Sequence, residues 1–515
     1  MALPYHVLTA CGRVIFAARG GNIYSFSPDL QHLSAWKYPA KQAKAANGSS
    51  LEAKASPVPE EPPTKRRRVE PGKEEDSNGN GHAIEGDAPN AKGNKQLKKE
   101  KKVQDLSHRL FEQPYIQSIT TTTNGRYVVA VTGSDKTIWV FEHDGAGNLK
   151  QLSSRTMPKR PCSIAITPDS QTILSADKFG DVYAVPLLQS AADQQQAESK
   201  EATPAPDVRS ATPSSTTIAQ PFKPQANEFT VHTKRNLRAL ENQKLGLQTK
   251  GGADKPAEPA FEHTLLLGHV SMLTAVVVGV HPATRRSYIV TGDRDEHIRV
   301  SRGAPAQAHI IETFCLGHED FVSRLCLPAP AARPEVLVSG GGDDHLFVWD
   351  WTRGALLSKA SVLAHVQRVV PQQRNIAVSR IYACPAGHGE DGSVLVFVVC
   401  ERVPALFCFE FKGNTLYYHA TIATPGNPLD VTNVESGSSS PSPRLLLAVD
   451  TITLAESQGG FSLFWADWEA ALGWRLRSCQ ETPVMAGGDE PTFKPEDLHK
   501  ILYTTESLRK TTDFE

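Results

Sequence analysis

The sequence predicts an all-β fold: a seven-bladed WD-repeat β-propeller with two long disordered insertions and a short C-terminal helix. Three observations carry the prediction. One unit opens with Gly-His and closes with Trp-Asp, and weaker copies of it recur along the chain. Short runs rich in β-branched residues, separated by Gly, Asp and Asn turns, fill the space between the copies. Two long polar stretches interrupt the pattern without replacing it by another.

The best copy of the unit begins at Gly317-His318 and runs through Ser339 and Asp343 to Trp349-Asp350. A second begins at Gly268-His269 and passes Thr291 and Asp295 before reaching Val300-Ser301. A third, Val131 to Glu142, places Phe141-Glu142 where Trp-Asp would stand, and a fourth spans Leu174 to Tyr183. The residue types imply a buried polar chain. Asp343 would orient His318, and Trp349 would donate its indole N–H to the Ser339 hydroxyl. His269, Thr291 and Asp295 would repeat this one blade earlier. These histidines and aspartates are therefore read as fold-holding groups, and blades lacking members, at Phe179 and Ser301, are expected to rely on apolar packing.

Strand runs such as Tyr127 to Val131, Ser287 to Thr291, Val394 to Val399 and Leu445 to Val449 place blades near 3–37, 110–145, 155–188, 262–303, 310–355, 376–412 and 415–468. The corresponding division is 1–37 for the start of blade 1, 38–105 for the first insertion and 106–188 for blades 2 and 3. A second insertion takes 189–259, blades 4 to 7 take 260–475, and an extension takes 476–515. The first insertion is rich in Lys, Glu, Pro, Gly and Asn, the second in Gln, Ala, Thr, Ser and Pro. Neither has enough large apolar side chains to offset ordering entropy. The insertions are expected within blade 1 and between blades 3 and 4, a basic helix is read at Arg235 to Leu247, and the ring is expected to close by pairing its first and last segments. Helical spacing of Leu498, Ile501, Leu502, Thr505 and Leu508 after Pro495 predicts the C-terminal helix, which could pack on the propeller or on a partner.

Composition narrows the function. Lys+Arg at 55 against Asp+Glu at 56 leaves a net charge of −1, so no global field gathers nucleic acid. The 8 cysteines form no C-x-x-C pair, which argues against a disulfide framework or zinc site. No secretion signal or membrane span is read, and the acceptor pattern Asn47-Gly48-Ser49 carries no weight without one. Gly387-His-Gly389-Glu-Asp-Gly392 matches a dinucleotide fingerprint but precedes a strand. Glu142-His-Asp144-Gly-Ala-Gly147 likewise leads into strand-like Leu149 to Ser153, where phosphate binding requires a helix N-terminus. No hydrolase or NTPase motif is present, so no catalytic residue, metal or resident cofactor is expected. Lys65, Arg66, Arg67 and Arg68, flanked by prolines, have the form of a nuclear import signal, with Lys95 to Lys102 as a second lobe. No aromatic residue interleaves them for base stacking.

Longer motifs at Leu265 to Thr274, Thr291 to Ser301, Cys315 to Ser323 and Ala176 to Tyr183 resemble those of one family: the non-catalytic WD-repeat subunit of tRNA (guanine-N7-)-methyltransferase. The resemblance covers about 110–190 and 260–355. It implies a heterodimer in which a separate catalytic subunit binds S-adenosylmethionine and forms 7-methylguanosine in the tRNA variable loop. This subunit would stabilise and activate it in the nucleus, meeting tRNA mainly through that partner. By the same resemblance Arg299 would pair with an acidic residue of the catalytic subunit, with Lys178, Arg294, Glu296 and Phe179 at the same surface. Arg299 is expected as an outward charge, or else as a surface arginine bridging Glu296 or Asp293. The rival readings are a scaffold presenting peptides over the channel, for a ubiquitin ligase or chromatin complex, and a propeller enzyme with a carboxylate or metal cluster in the channel.

Overall fold

The computed structural model describes residues 3–39, 115–189, 261–329, 331–386, 393–434, 443–451, 462–469, 472–479 and 495–510. Among them, seven four-stranded antiparallel sheets follow one another along the chain, each with its strands in sequence order. They occupy 5–36, 116–156, 161–268, 273–315, 322–361, 378–423 and 427–478. The innermost strand of each sheet packs against that of the next, and Tyr5–Cys11 of blade 1 packs against Asn427–Asn433 of blade 7. The ring is closed.

Closure differs from the expected strand exchange. Because 5–36 already supplies four paired strands, the chain ends share no sheet, and blade 1 meets blade 7 face to face. Tyr5, Leu8, Ile15, Ala17 and Tyr24 interlock with Leu446, Ala448, Leu463 and Trp465, all nearly water-free. Within this contact the Leu8 amide donates to Asp430 Oδ2 at 2.9 Å. Each such face buries apolar side chains worth roughly 1.5–3 kcal/mol apiece.

Blade 1 keeps its expected bounds, whereas blades 2 to 7 each end one strand later than expected. Leu149–Thr156 completes blade 2, Ile311–Cys315 completes blade 4, and Thr415–Ala423 completes blade 6. The same slip moves the second insertion, and the four complete strands of 5–36 move the first. Thr264–Gly268 pairs with Asp181–Pro186, so the second long segment lies inside blade 3, between its third and outer strands. The first falls between blades 1 and 2. Outer strands alternate exposed and half-buried positions, as in Leu149–Thr156, so they lack the apolar run by which inner strands are recognised. The readings of disorder, the import signal, the Arg235 to Leu247 helix, the Gly387 to Gly392 cluster and Asn47 to Ser49 lie outside the described residues.

A short helix, Leu363–Val369, follows blade 5, and the C-terminal helix spans Pro495–Leu502. Leu498 is buried against Leu3 and Tyr115, so this helix packs on its own propeller.

Candidate partner-docking face

The polar chain of blade 5 assembles as its residue types require. His318 Nδ1 lies 2.7 Å from Asp343 Oδ2, and His318 Nε2 lies 2.7 Å from Ser339 Oγ. The Trp349 indole donates to the same hydroxyl at 2.8 Å. Asp343 also accepts the Glu319 amide at 2.8 Å. Burial pushes its carboxyl up, but the His318 bond and charge together with backbone N–H groups hold it below the ordinary aspartate value.

Blade 4 varies this plan. His269 Nε2 sits 3.0 Å from the Thr291 hydroxyl, but its Nδ1 faces Asp293 Oδ2 at 3.7 Å, not Asp295. Asp293 is 3 % exposed and also accepts the Asp295 and His297 amides, whereas Asp295 reaches outward to Lys510. The carboxylate has moved from the far to the near end of the turn.

Ser301 stands where blade 5 has Trp349. In both blades this position pairs with the residue two before the chain hydroxyl: Ser301 with Ile289, and Trp349 with Leu337. Arg299 fills the space. Its Nε donates to Ser301 Oγ at 3.0 Å and its Nη1 to the Gly268 carbonyl at 3.0 Å, spanning the gap that the indole closes against Gly317 in blade 5. Arg299 is therefore only 8 % exposed, neither an outward charge nor a bridge to Glu296 or Asp293, and Ser301 is held by a polar contact rather than apolar packing. Burial pushes its guanidinium below the ordinary value, and no carboxylate contacts it among the described residues.

Blade 2 holds a tryptophan that the sequence alignment missed. Trp139 pairs with Ala130, two before Thr132, and donates its indole N–H to the Thr132 hydroxyl at 3.0 Å. Trp139 follows its hydroxyl partner by 7 positions, against 10 from Ser339 to Trp349, so counting forward overshoots to Phe141. In blade 3 Met157 occupies the histidine position and is buried among apolar side chains. Ser175 Oγ and Asp177 Oδ2 accordingly have no hydrogen-bond partner.

The turns joining second to third strands bring the proposed docking residues onto one face. Lys178 and Phe179 lie in the turn of blade 3; Arg294 and Glu296 lie in that of blade 4. Phe179 is not a blade member but a 58 % exposed turn residue, with the ammonium groups of Lys159 and Lys178 at 4.9 and 5.8 Å from its ring centre. Gly180, at φ +101°, lets this turn touch the loop entering blade 4: a Cβ there would meet the His269 carbonyl at 2.3 Å, and the His269 amide donates to the Gly180 carbonyl at 2.8 Å. Val270, in that stitched loop, is fully exposed. Arg294 and Glu296 are instead engaged by the C-terminal segment, through the Leu508 carbonyl and Lys510 Nζ.

Among the described residues no His, Cys, Asp and Glu are grouped to hold a metal. Burial pushes the thiols of Cys315, Cys326, Cys384 and Cys400 up to about 12, which makes them poor nucleophiles. The Glu142 to Gly147 cluster is a hairpin between Thr137–His143 and Leu149–Thr156, with Asp144 accepting the Ala146 and Asn148 amides. No helix among the described residues is long and apolar enough to cross a membrane.

The chain matches the family described as "tRNA methyltransferase TRM82 WD40 domain" over residues 15–461. It belongs to that family. It is 40% identical to the tRNA (guanine-N(7)-)-methyltransferase non-catalytic subunit of Sclerotinia sclerotiorum, across 87% of this chain and 85% of that protein. The subunit of the same name from Aspergillus oryzae is 35% identical, across 97% and 94%. Among solved structures the chain is similar to U3-55K, with a TM-score of 0.46 and 13% identity over 87% of this chain and 88% of that one.

Proposed function

We propose that this chain is the non-catalytic, stabilising and activating subunit of a tRNA guanine-N7 methyltransferase, joined as a heterodimer to a catalytic subunit that binds S-adenosylmethionine. The family match over nearly the whole propeller carries this reading. The geometry is consistent with it: a rigid ring, no reactive cluster among the described residues, and one face with exposed apolar and basic side chains. Tethering the partner's functional loops to a rigid platform raises the population of its active conformation without contributing a reacting group.

The docking surface is Phe179 and Val270, flanked by Lys178 and Lys159 and backed by Arg299. An acidic side chain of the catalytic subunit that reached the remaining Arg299 donors would meet a guanidinium already desolvated and lacking a carboxylate. tRNA is met mainly through the partner, and the Lys65 to Arg68 cluster directs nuclear import; alanine at those four positions should leave a fluorescent fusion in the cytoplasm.

The test mixes purified catalytic subunit, tRNA and methyl donor with and without this chain. Methylation should need the chain, and should fall with Phe179→Asp while the chain's melting temperature holds. Full methylation by the catalytic subunit alone would overturn the function, and unaltered binding of Phe179→Asp would overturn the site.

A further inference from the structure

The C-terminal segment crosses the same face as a strap. Its helix rests on Leu3 and Tyr115 at the entrances to blades 1 and 2. The Tyr503 hydroxyl then donates to the Asp450 carboxylate of blade 7. At blade 6 the buried Glu401 carboxylate accepts the Thr505 amide at 2.7 Å and the Glu506 amide at 3.0 Å, capping the turn Glu506–Leu508. Arg509 pairs with Asp320 at the entrance to blade 5 and donates to the Ile376 carbonyl at 2.8 Å, its guanidinium 5.4 Å from the Phe321 ring centre. At blade 4 the Leu508 carbonyl accepts Arg294 Nε at 2.7 Å, and Lys510 Nζ lies 3.2 Å from Asp295 and 3.1 Å from Glu296.

Among the described residues the strap thus touches the loops of six blades and makes no contact with blade 3, where Phe179 and Val270 stand exposed. Its last contacts clamp the turn Arg294 to Glu296, in which Glu296 has φ 74°, a left-handed conformation uncommon for a glutamate. All three side chains of that turn, Arg294, Asp295 and Glu296, bond to the strap.

We propose that the strap is a positioning element of the docking surface: by clamping the blade 4 turn through Leu508, Arg509 and Lys510, it presets one wall of the site that receives the catalytic subunit. Arg509 and Lys510 act through the turn. Arg509 anchors the strap end on blade 5, and Lys510 holds Asp295 and Glu296 back from the Phe179 side. With the clamp lost, the turn samples other conformations and the partner must order it on binding, which weakens affinity without changing the chemistry of the bound enzyme. The same strap lies over the inner-strand entrances where a peptide-presenting propeller would take its ligand.

This inference rests on the docking reading above, and the experiment separates the two. Full-length wild-type chain, Arg509→Ala and Lys510→Ala are each titrated against the catalytic subunit, reading Kd, kcat at saturation and the chain's own melting temperature. Arg509→Ala should raise Kd about tenfold, equivalent to about 1.4 kcal/mol, with kcat unchanged. Lys510→Ala, half-exposed and unable to unfold the ring, should raise Kd about threefold at an unaltered melting temperature. Both variants binding within a factor of 1.5 of wild type, roughly the noise of such a titration, would overturn the strap's role while leaving the docking site intact. Failure of the wild-type chain to bind would overturn the docking reading itself.

Discussion

Arg299 shows how one side chain can replace a motif. The guanidinium reaches from Ser301 to the Gly268 carbonyl, standing in for an indole that blade 4 lacks. If this is its structural task, the double substitution Arg299→Phe with Ser301→Trp rebuilds the Phe347–Trp349 stack of blade 5, where the rings lie 5.7 Å apart and nearly parallel. Denaturant unfolding should then stay within about 1 kcal/mol of wild type, while binding of the catalytic subunit falls. Retention of both would show that the residue serves the fold alone. The blade 5 chain makes a pH-dependent prediction. Asp343 is held below its unfolded value, so its contribution is present above an unfolded pKa near 3.9 and is lost as pH falls through the folded value. Asp343→Asn should lower stability at pH 7 by roughly 1–3 kcal/mol and flatten the acid limb of the melting curve between about pH 5 and 3. An acid limb as steep as that of wild type would contradict this.

At the scale of elements, the long connection inside blade 3 leaves and re-enters the sheet beside itself, because Ala184 pairs with Thr264. The departing end is independently fixed: Leu187 is buried, and Arg155 Nη2 donates to its carbonyl at 3.1 Å. Replacing 190–260 by a Gly/Ser linker of about ten residues should therefore keep the blade and raise stability by roughly 1–2 kcal/mol through loop closure. Denaturant midpoints would measure it, and a fall in midpoint would mean that the segment contributes contacts of its own. Such geometry also explains what was legible in the sequence. Blades 4 and 5 could be read because their buried polar chains demand His, Ser or Thr, Asp and Trp at nearly fixed spacing. Outer strands were passed over or assigned to the following blade because many of their side chains face water, and that slip misplaced the second insertion. Trp139 was passed over because it follows its hydroxyl partner by fewer positions than Trp349 does, although it pairs with the same place on the neighbouring strand. Arg299 was read as outward because spacing reports which strand a residue occupies, not whether a neighbouring position has left a void for it. No pattern announced the strap, whose partners Glu401, Asp320 and Arg294 are more than a hundred residues away in sequence.

For the whole molecule, the absence of a shared closing sheet makes apolar packing between blades 1 and 7 responsible for keeping the ring shut. Every blade is wedged between two neighbours, so opening one seam frees faces that were water-excluded on both sides. Leu8, 1 % exposed within the closing cluster, tests this coupling. Leu8→Ala removes a side chain from a packed site and should cost about 2–5 kcal/mol. If the ring unfolds as one unit, amides of Val336–Gly341 and His345–Asp350 in blade 5, across the ring, should exchange faster by the same free energy as those of Tyr5–Cys11. A purely local seam would give another pattern, in which blade 1 amides exchange faster while those of blade 5 keep the wild-type rate. That outcome would mean that blades 2 to 7 stand without the closure, and that docking on blades 3 and 4 could survive the loss of blade 1.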